Sequence, residues 1–135
     1  MAMHMRAGMR KLGLIAAILA TVAQPAVATG FVNGRSQWQA LTAEARIGYV
    51  QALNDSLNYV FADDSLAQAL AKRGRTNCLV AQNMTALKLS ELISIAYRND
   101  RVAALPPSAV YLMQMSAICG EYINKARLDF GLGAQ

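Results

Sequence analysis

The sequence predicts an all-α fold, a small four-helix bundle-like domain that carries one disulfide and follows a signal peptide. Apolar residues recur at helical spacing in four segments, which is the pattern of helices that bury one face. No segment alternates apolar and polar residues with a period of two, so no strand or hairpin competes with the helices. Four such segments in one short chain favour antiparallel packing around a single core.

The N-terminus has the three parts of a secretory signal peptide. A basic segment ending at Lys11 precedes an apolar run over 12–23, and residues 26–28 read Ala-Val-Ala, a typical cleavage site. The run is shorter than the roughly 20 apolar residues that span a bilayer, which makes an uncleaved anchor the less favoured alternative. We therefore assign 1–28 to a signal peptide and 29–135 to one all-helical domain. This domain is expected in the periplasm, with no stable membrane anchor after cleavage.

The composition of the exported part argues against several classes of function. Three of the 13 basic residues lie in the leader, so ten remain against eight acids, a formal net charge of +2. The only basic cluster, at 72–75, is too short for the sustained basic surface that nucleic-acid binding needs. The single histidine is His4, in the leader, so histidine-dependent catalysis and the common zinc and copper ligand sets are disfavoured. We expect no enzymatic activity, no cofactor, no metal and no nucleic-acid partner.

The first two helices are predicted from capping patterns and glycines. A capping-box pattern at 36–39 opens a single helix over 36–61. Gly48 lies in the middle of that helix, where it weakens the helix unless another backbone packs closely or the helix kinks. A serine cap then begins a short helix over 65–73, which Gly74 is expected to end.

The last two helices follow from a cap and a proline. Thr85 can cap a third helix whose apolar residues fall on a single face, namely Leu89, Leu92, Ile93, Ala96 and Tyr97. A polar turn over 98–101 ends it. Pro107 suits the first turn of the last helix, where the missing N–H does no harm. The inward stripe of that helix is predicted to consist of Leu112, Ser116, Cys119, Ile123, Ala126 and Phe130.

The chain has two cysteines, Cys78 and Cys119. In an exported domain without histidine, the simplest use of two cysteines is a single disulfide. This bond would join a loop before the third helix to the inward face of the fourth. Closing a loop of about 42 residues stabilises the fold by roughly 4 kcal/mol on the chain-entropy account. A redox or intermolecular role and a catalytic thiol are the less favoured alternatives.

Two stretches together resemble the Tai/Rap-type periplasmic immunity proteins. "GYVQALNDSL" at 48–57 is similar to the first helix motif of that family, and 77–119 resembles its second half. "FVNG" at 31–34 is similar to the start of the family's domain. The matching positions are Gly48, Tyr49, Asp55, Cys78, Thr85, Leu89 and Cys119. The chain departs from the family pattern at Arg46 in place of a cysteine, at Ala52 in place of a glycine, and at Asn99-Asp100 in place of Asn-Pro.

The resemblance implies a non-enzymatic protein that neutralises a peptidoglycan amidase delivered by a type VI secretion system. Members of the family often form dimers, so a homodimer is a further expectation. Gly48 is expected to be a packing position, Tyr49 a core residue with a satisfied hydroxyl, and Asp55 a buried hydrogen-bonding partner. A small-molecule site around Asp55 and Tyr49 is the alternative for these residues.

Partner contacts are expected from two polar segments, 71–77 and 98–107, because both are predicted to be exposed loops. The candidate contact residues are Lys72, Arg73, Arg75, Arg98, Asn99, Asp100 and Arg101. Two other functions stay open for the exported domain. One is a small periplasmic stress chaperone, and the other is a helical carrier of a small ligand.

Overall fold

The computed structural model describes residues 31–135, so the predicted signal peptide and its cleavage site lie outside the described residues. Within that range the chain is all-α without a strand, which confirms the predicted fold class. Five helices form in place of the four predicted. Their bounds are α1 Arg35–Ala40, α2 Ala43–Asn58, α3 Leu66–Ala81, α4 Ala86–Ala96 and α5 Pro107–Leu128, with a short 3-10 turn at Asp100–Val102.

The prediction of a single helix over 36–61 is wrong, because the chain breaks between α1 and α2. Thr42 has extended backbone angles, and its hydroxyl accepts a hydrogen bond from the Ala45 N–H at 3.2 Å, so it caps α2. Arg46 reinforces the break by donating to the Leu41 carbonyl from both Nε and Nη2, at 3.1 and 3.0 Å. The predicted capping box at 36–39 is also wrong, since α1 starts at Arg35 without a side-chain cap.

Gly74 does not end a helix, contrary to the prediction. Helix α3 opens with a capping box at Ser65 and continues through Gly74 to Ala81. A Cβ built on Gly74 would lie 2.6 Å from the Ile123 Cα, so the glycine lets the backbones of α3 and α5 meet. The structural reason for the glycine is therefore helix–helix packing and not helix termination.

The predicted disulfide between Cys78 and Cys119 is confirmed. Both residues are fully buried, and their Cα atoms are 5.5 Å apart. Cys78 lies inside α3 and not in a loop, one turn beyond Gly74, while Cys119 lies one turn before Ile123. The two contacts run in opposite chain directions, which makes α3 and α5 an antiparallel pair.

The core is centred on Trp38, which α1 presents to the other helices. Its ring is fully buried, and its Nε1 donates to the Ser94 Oγ at 3.0 Å. Leu89, Ile93 and Tyr97 of the third predicted helix are buried as expected. The remaining buried side chains around this centre come from α2, α3, the 3-10 turn and α5, and include Val50, Ala71, Leu79, Val102, Val110, Tyr111, Met115 and Ile123.

The predicted inward stripe of α5 is only partly correct. Cys119 and Ile123 are buried, whereas Leu112, Ser116 and Phe130 are exposed. The buried positions of this helix advance in steps of four residues, at Tyr111, Met115, Cys119 and Ile123. A step of four in a helix of 3.6 residues per turn moves the face round by about 40°. This drift follows from the neighbours, because the first turns of α5 contact α2 and the later turns contact α3.

Within residues 31–135 no helix is long and apolar enough to cross a bilayer.

Candidate binding surface

The residues chosen from the family-like motif of α2 do not form a site. Gly48 is exposed, and a Cβ added there would meet nothing within 4 Å, so its predicted packing role is wrong. Asp55 is exposed and not the buried partner that was predicted. Tyr49 is partly buried, with its ring edge-on to Trp38 at 6.0 Å, and burial raises its pKa. Tyr49 and Asp55 are six positions apart on one helix, which places them on different faces.

Thr85 and Leu89, from the second part of the motif, have the structural roles expected of them. The Thr85 hydroxyl accepts from the Lys88 N–H at 3.2 Å and caps α4. Leu89 is buried in the core. Both residues hold α4 in place, and Thr85 also lines the groove described below.

The two segments predicted to be exposed loops differ. The segment 71–77 is not a loop but part of α3, and within it Lys72 and Arg75 are partly buried while Arg73 is exposed. The other segment begins with an exposed polar turn, as predicted, formed by Arg98, Asn99, Asp100 and Arg101. This turn is tied to α1, because Arg35 pairs with Asp100 at 2.6 Å.

The connection between α2 and α3 and the first residue of α3 carry exposed apolar side chains, which we name the aromatic patch: Tyr59, Val60, Phe61 and Leu66. Tyr59 is 63% exposed and Phe61 is 50% exposed. Their rings meet edge to face with centroids 4.8 Å apart. Large aromatic surface is therefore displayed to solvent at one end of the α2–α3 pair.

A partly buried ion pair holds this patch from below. The Lys72 Nζ lies 2.7 Å from an Asp64 carboxylate oxygen, with both side chains largely covered. The same carboxylate accepts from the Phe61 N–H at 2.8 Å, and the Lys72 Nζ lies 4.8 Å from the Phe61 ring centre. The hydrogen bond from Lys72 keeps the pKa of Asp64 below its usual value. Lys72 thus supports the patch from inside the protein.

A polar network lies next to the patch, at the end of α2. Arg75 donates from Nε to the Asn58 Oδ1 and from Nη2 to the Leu57 carbonyl, both at 2.8 Å. The Asn58 Nδ2 donates to the Asn54 Oδ1 at 2.8 Å and to the Tyr111 hydroxyl at 3.0 Å. The Tyr111 hydroxyl in turn donates to the Asn54 Oδ1 at 2.8 Å. Burial raises the pKa of Tyr111 and lowers that of Arg75.

An open groove of about 710 Å³ lies beside this network, between α2, α3 and the start of α4. Asn54 and Asn58 form part of its α2 wall, and Leu79 and Val80 form part of its α3 wall. Sequence reasoning missed this site. The available signal was the pair of carboxamides at positions i and i+4, which always share one face of a helix.

Comparison of the chain with protein-family models, with curated proteins and with solved structures finds no significant match. Within residues 31–135, no three His, Cys, Asp or Glu residues lie close enough together to hold a metal ion. The side chains that characterise the candidate surface are the aromatic rings of the patch and the carboxamides of Asn54 and Asn58.

Proposed function

We propose that this chain is an exported, non-enzymatic binding protein that engages a protein partner through the aromatic patch. In its specific form the proposal is an immunity protein of the periplasm, which neutralises a peptidoglycan amidase delivered by type VI secretion. The observation that carries the proposal is the exposed Tyr59–Phe61 pair, which is held in place from beneath. The resemblance of 48–57 and 77–119 to the Tai/Rap-type proteins supports the class of partner.

The aromatic patch has the physical properties of an interface centre. Aromatic side chains are enriched in protein interfaces and among the residues that contribute most to affinity. The Lys72–Asp64 pair fixes the backbone at Phe61, so little conformational entropy remains to be lost when a partner binds. A rigid apolar surface of this kind suits an inhibitor, which needs a presented shape and no chemistry of its own.

The Cys78–Cys119 disulfide supports the proposed compartment. Disulfides persist in oxidising compartments such as the periplasm and are rare in reducing ones. The leader predicted over 1–28 would deliver the chain there.

A co-expression assay tests both the partner and the surface. The full chain is produced in a Gram-negative host together with periplasm-directed peptidoglycan amidases, and survival and co-purification are measured. We expect protection from one amidase and a complex with it. The Tyr59→Ala/Phe61→Ala variant should weaken this complex by about a thousandfold, because each residue at an interface centre contributes roughly 2 kcal/mol.

The matched control is Phe130→Ala, which removes an aromatic ring of similar exposure just beyond the C-terminal end of α5. It should leave binding unchanged. A chain that binds no amidase and protects against none would refute the immunity function. A complex that is unaffected by the double substitution would refute the role of the aromatic patch.

The groove favours a second candidate function, a carrier of a small ligand. Its volume of about 710 Å³ lies within the range of small-molecule sites, and it combines apolar and polar side chains. Native mass spectrometry of the protein purified from exporting cells tests this function. A co-purified small molecule at stoichiometric amount would support the carrier, and an unliganded mass would refute it.

A further inference from the structure

We propose that the groove between α2, α3 and α4 binds an extended, uncharged peptide segment, with the Asn54 side-chain nitrogen donating a hydrogen bond to one of its main-chain carbonyl oxygens. The proposal goes beyond the aromatic patch, because it concerns a separate surface with different chemistry. It holds whether or not the partner at the patch is an amidase.

Arg75 determines which way the carboxamide groups of Asn58 and Asn54 are turned. A guanidinium group has donors and no acceptor, so the Asn58 atom that faces it at 2.8 Å must be the carbonyl oxygen. The Asn58 nitrogen is therefore turned toward Asn54 and Tyr111. Since that nitrogen can only donate, the Asn54 atom that meets it at 2.8 Å must be its oxygen.

In this arrangement the side-chain nitrogen of Asn54 is a donor that the network does not use. The Asn54 oxygen already accepts two hydrogen bonds, from Asn58 and from the Tyr111 hydroxyl. Its nitrogen, on the other side of the carboxamide, has no hydrogen-bond partner among residues 31–135. Asn54 is only partly buried and lines the groove, so this fixed N–H group is offered to whatever the groove holds. A fixed donor selects an acceptor such as a carbonyl oxygen.

The rest of the groove matches an uncharged, partly apolar ligand. Within the described chain, no charged side chain and no aromatic ring lines it. The apolar contribution comes from Leu79, Val80 and Met84, and Val80 is 73% exposed. With no charged side chain among the described residues of its lining, the groove offers a charged segment no ion pair. A peptide backbone with apolar side chains satisfies both the donor and the apolar wall, whereas a sugar would lack an aromatic surface to pack on.

Nuclear magnetic resonance titration of the oxidised, isotope-labelled mature chain tests the proposal. The probe is the blocked peptide acetyl-Ala-Val-Ala-Val-Ala-amide, which has no charge. We expect saturable shifts of the Asn54 side-chain NH₂ signals and of the Val80 and Met84 methyl signals. Asn54→Asp retains the oxygen that accepts from Asn58 and Tyr111 and replaces the donor by a carboxylate oxygen. This variant should weaken peptide binding by about tenfold or more.

Ser56→Asp is the matched control, because it adds the same charge to an exposed position of α2 outside the groove and leaves the Asn54 donor intact. It should change the dissociation constant by less than about twofold. If Asn54→Asp does not fold, the exposed position Val80→Ser tests the apolar wall and should also weaken binding. Equal loss in the Asn54 and Ser56 variants would overturn the proposed role of the donor.

Three further outcomes would overturn the proposal as a whole. One is a set of peptide-induced shifts that lies outside the groove. Another is saturable groove shifts with tri-N-acetylglucosamine but not with the peptide, which would assign the groove to a glycan. The last is groove shifts that depend on protein concentration alone, which would assign it to a second copy of this chain.

Discussion

The α3–α5 contact and the α2–α3 connection are held together by opposite means. Between α3 and α5 the backbones touch at Gly74, and one turn further a covalent bond joins Cys78 to Cys119. The α2–α3 connection is held by directional polar contacts, from Lys72 to Asp64 and from Arg75 to the end of α2. The α3–α5 contact leaves no space for a larger side chain at Gly74. The α2–α3 connection instead fixes the shape of an exposed surface.

The difference shows which parts of this small protein determine stability and which determine recognition. Close packing and a disulfide affect the stability of the whole fold. Close packing fixes the folded structure, and the disulfide lowers the conformational entropy of the unfolded chain. Partly buried ion pairs and hydrogen bonds contribute less net free energy but impose geometry. We therefore expect substitutions in the first region to change unfolding, and substitutions in the second to change binding with smaller effects on unfolding.

The largest expected effect is loss of the disulfide. The Cys78→Ala/Cys119→Ala double variant should lose about 4 kcal/mol of unfolding free energy, because its unfolded chain is no longer restricted. Denaturant unfolding of the oxidised wild type and the double variant measures the difference. Wild-type protein after reduction is the control and should match the variant. A loss below about 1 kcal/mol would mean that packing alone holds α3 against α5.

Gly74→Ala is expected to rank second. The new Cβ would meet the Ile123 backbone at 2.6 Å, so the helices must separate, at a loss of about 3 kcal/mol. The control is Gly48→Ala, where a Cβ has nothing within 4 Å. This exposed helical position should gain about 0.5–1 kcal/mol from the better helix former. Thermal unfolding measures both, and shifts of the same sign would contradict the structure.

Arg75→Ala should have a smaller effect on stability, about 2 kcal/mol, because two acceptors at the end of α2 lose a charged donor. Arg73→Ala removes the exposed neighbouring charge and should stay within about 0.5 kcal/mol. The Arg75 variant should also weaken binding at the patch more than its stability loss explains. Equal affinities of the two variants would argue against the role of Arg75 in positioning the connection.

The smallest effect is expected from Asp64 and depends on pH. Its folded-state pKa is lowered, so its stabilising contribution is present above about pH 4 and is lost as the pH falls through the folded-state pKa. Asp64→Asn should therefore flatten the acid limb of the stability curve. Asp63→Asn changes an exposed neighbour and should leave that limb as in the wild type. Acid titration followed by circular dichroism tests the pair, and identical curves for both variants would rule out this contribution.

The parts of the fold that local chemistry determines were predictable from the sequence. The Thr85 cap, the Pro107 start and the buried Leu89 face each depend on residues within a turn or two. The disulfide was predictable because the sequence has only two cysteines. Each of these features follows from local signals or from composition.

Gly48 and Gly74 show why features that depend on contacts between helices could not be predicted from the sequence. Gly48 was expected to pack closely and Gly74 to end a helix, yet Gly74 packs closely and Gly48 does neither. The sequence around a glycine in a helical segment looks the same whether the glycine ends the helix or lets another helix pack against it. Here the position of α5 determines that Gly74 is a packing residue. A local pattern places only Asn54 and Asn58 together, whereas Arg75 and Tyr111 join the network from two other helices and could not be predicted from it.

The covalent ring closed by Cys78 and Cys119 spans a sequence separation of 41 residues and contains the whole of α4. Helices α1 and α2 lie outside it. A fluctuation that leaves the ring intact can release these two helices, while α3, α4 and α5 remain linked. We therefore expect amide hydrogens of α2 to exchange with solvent sooner than those of α5. The aromatic patch and the groove both lie along this boundary, so a bound partner would slow exchange in α2.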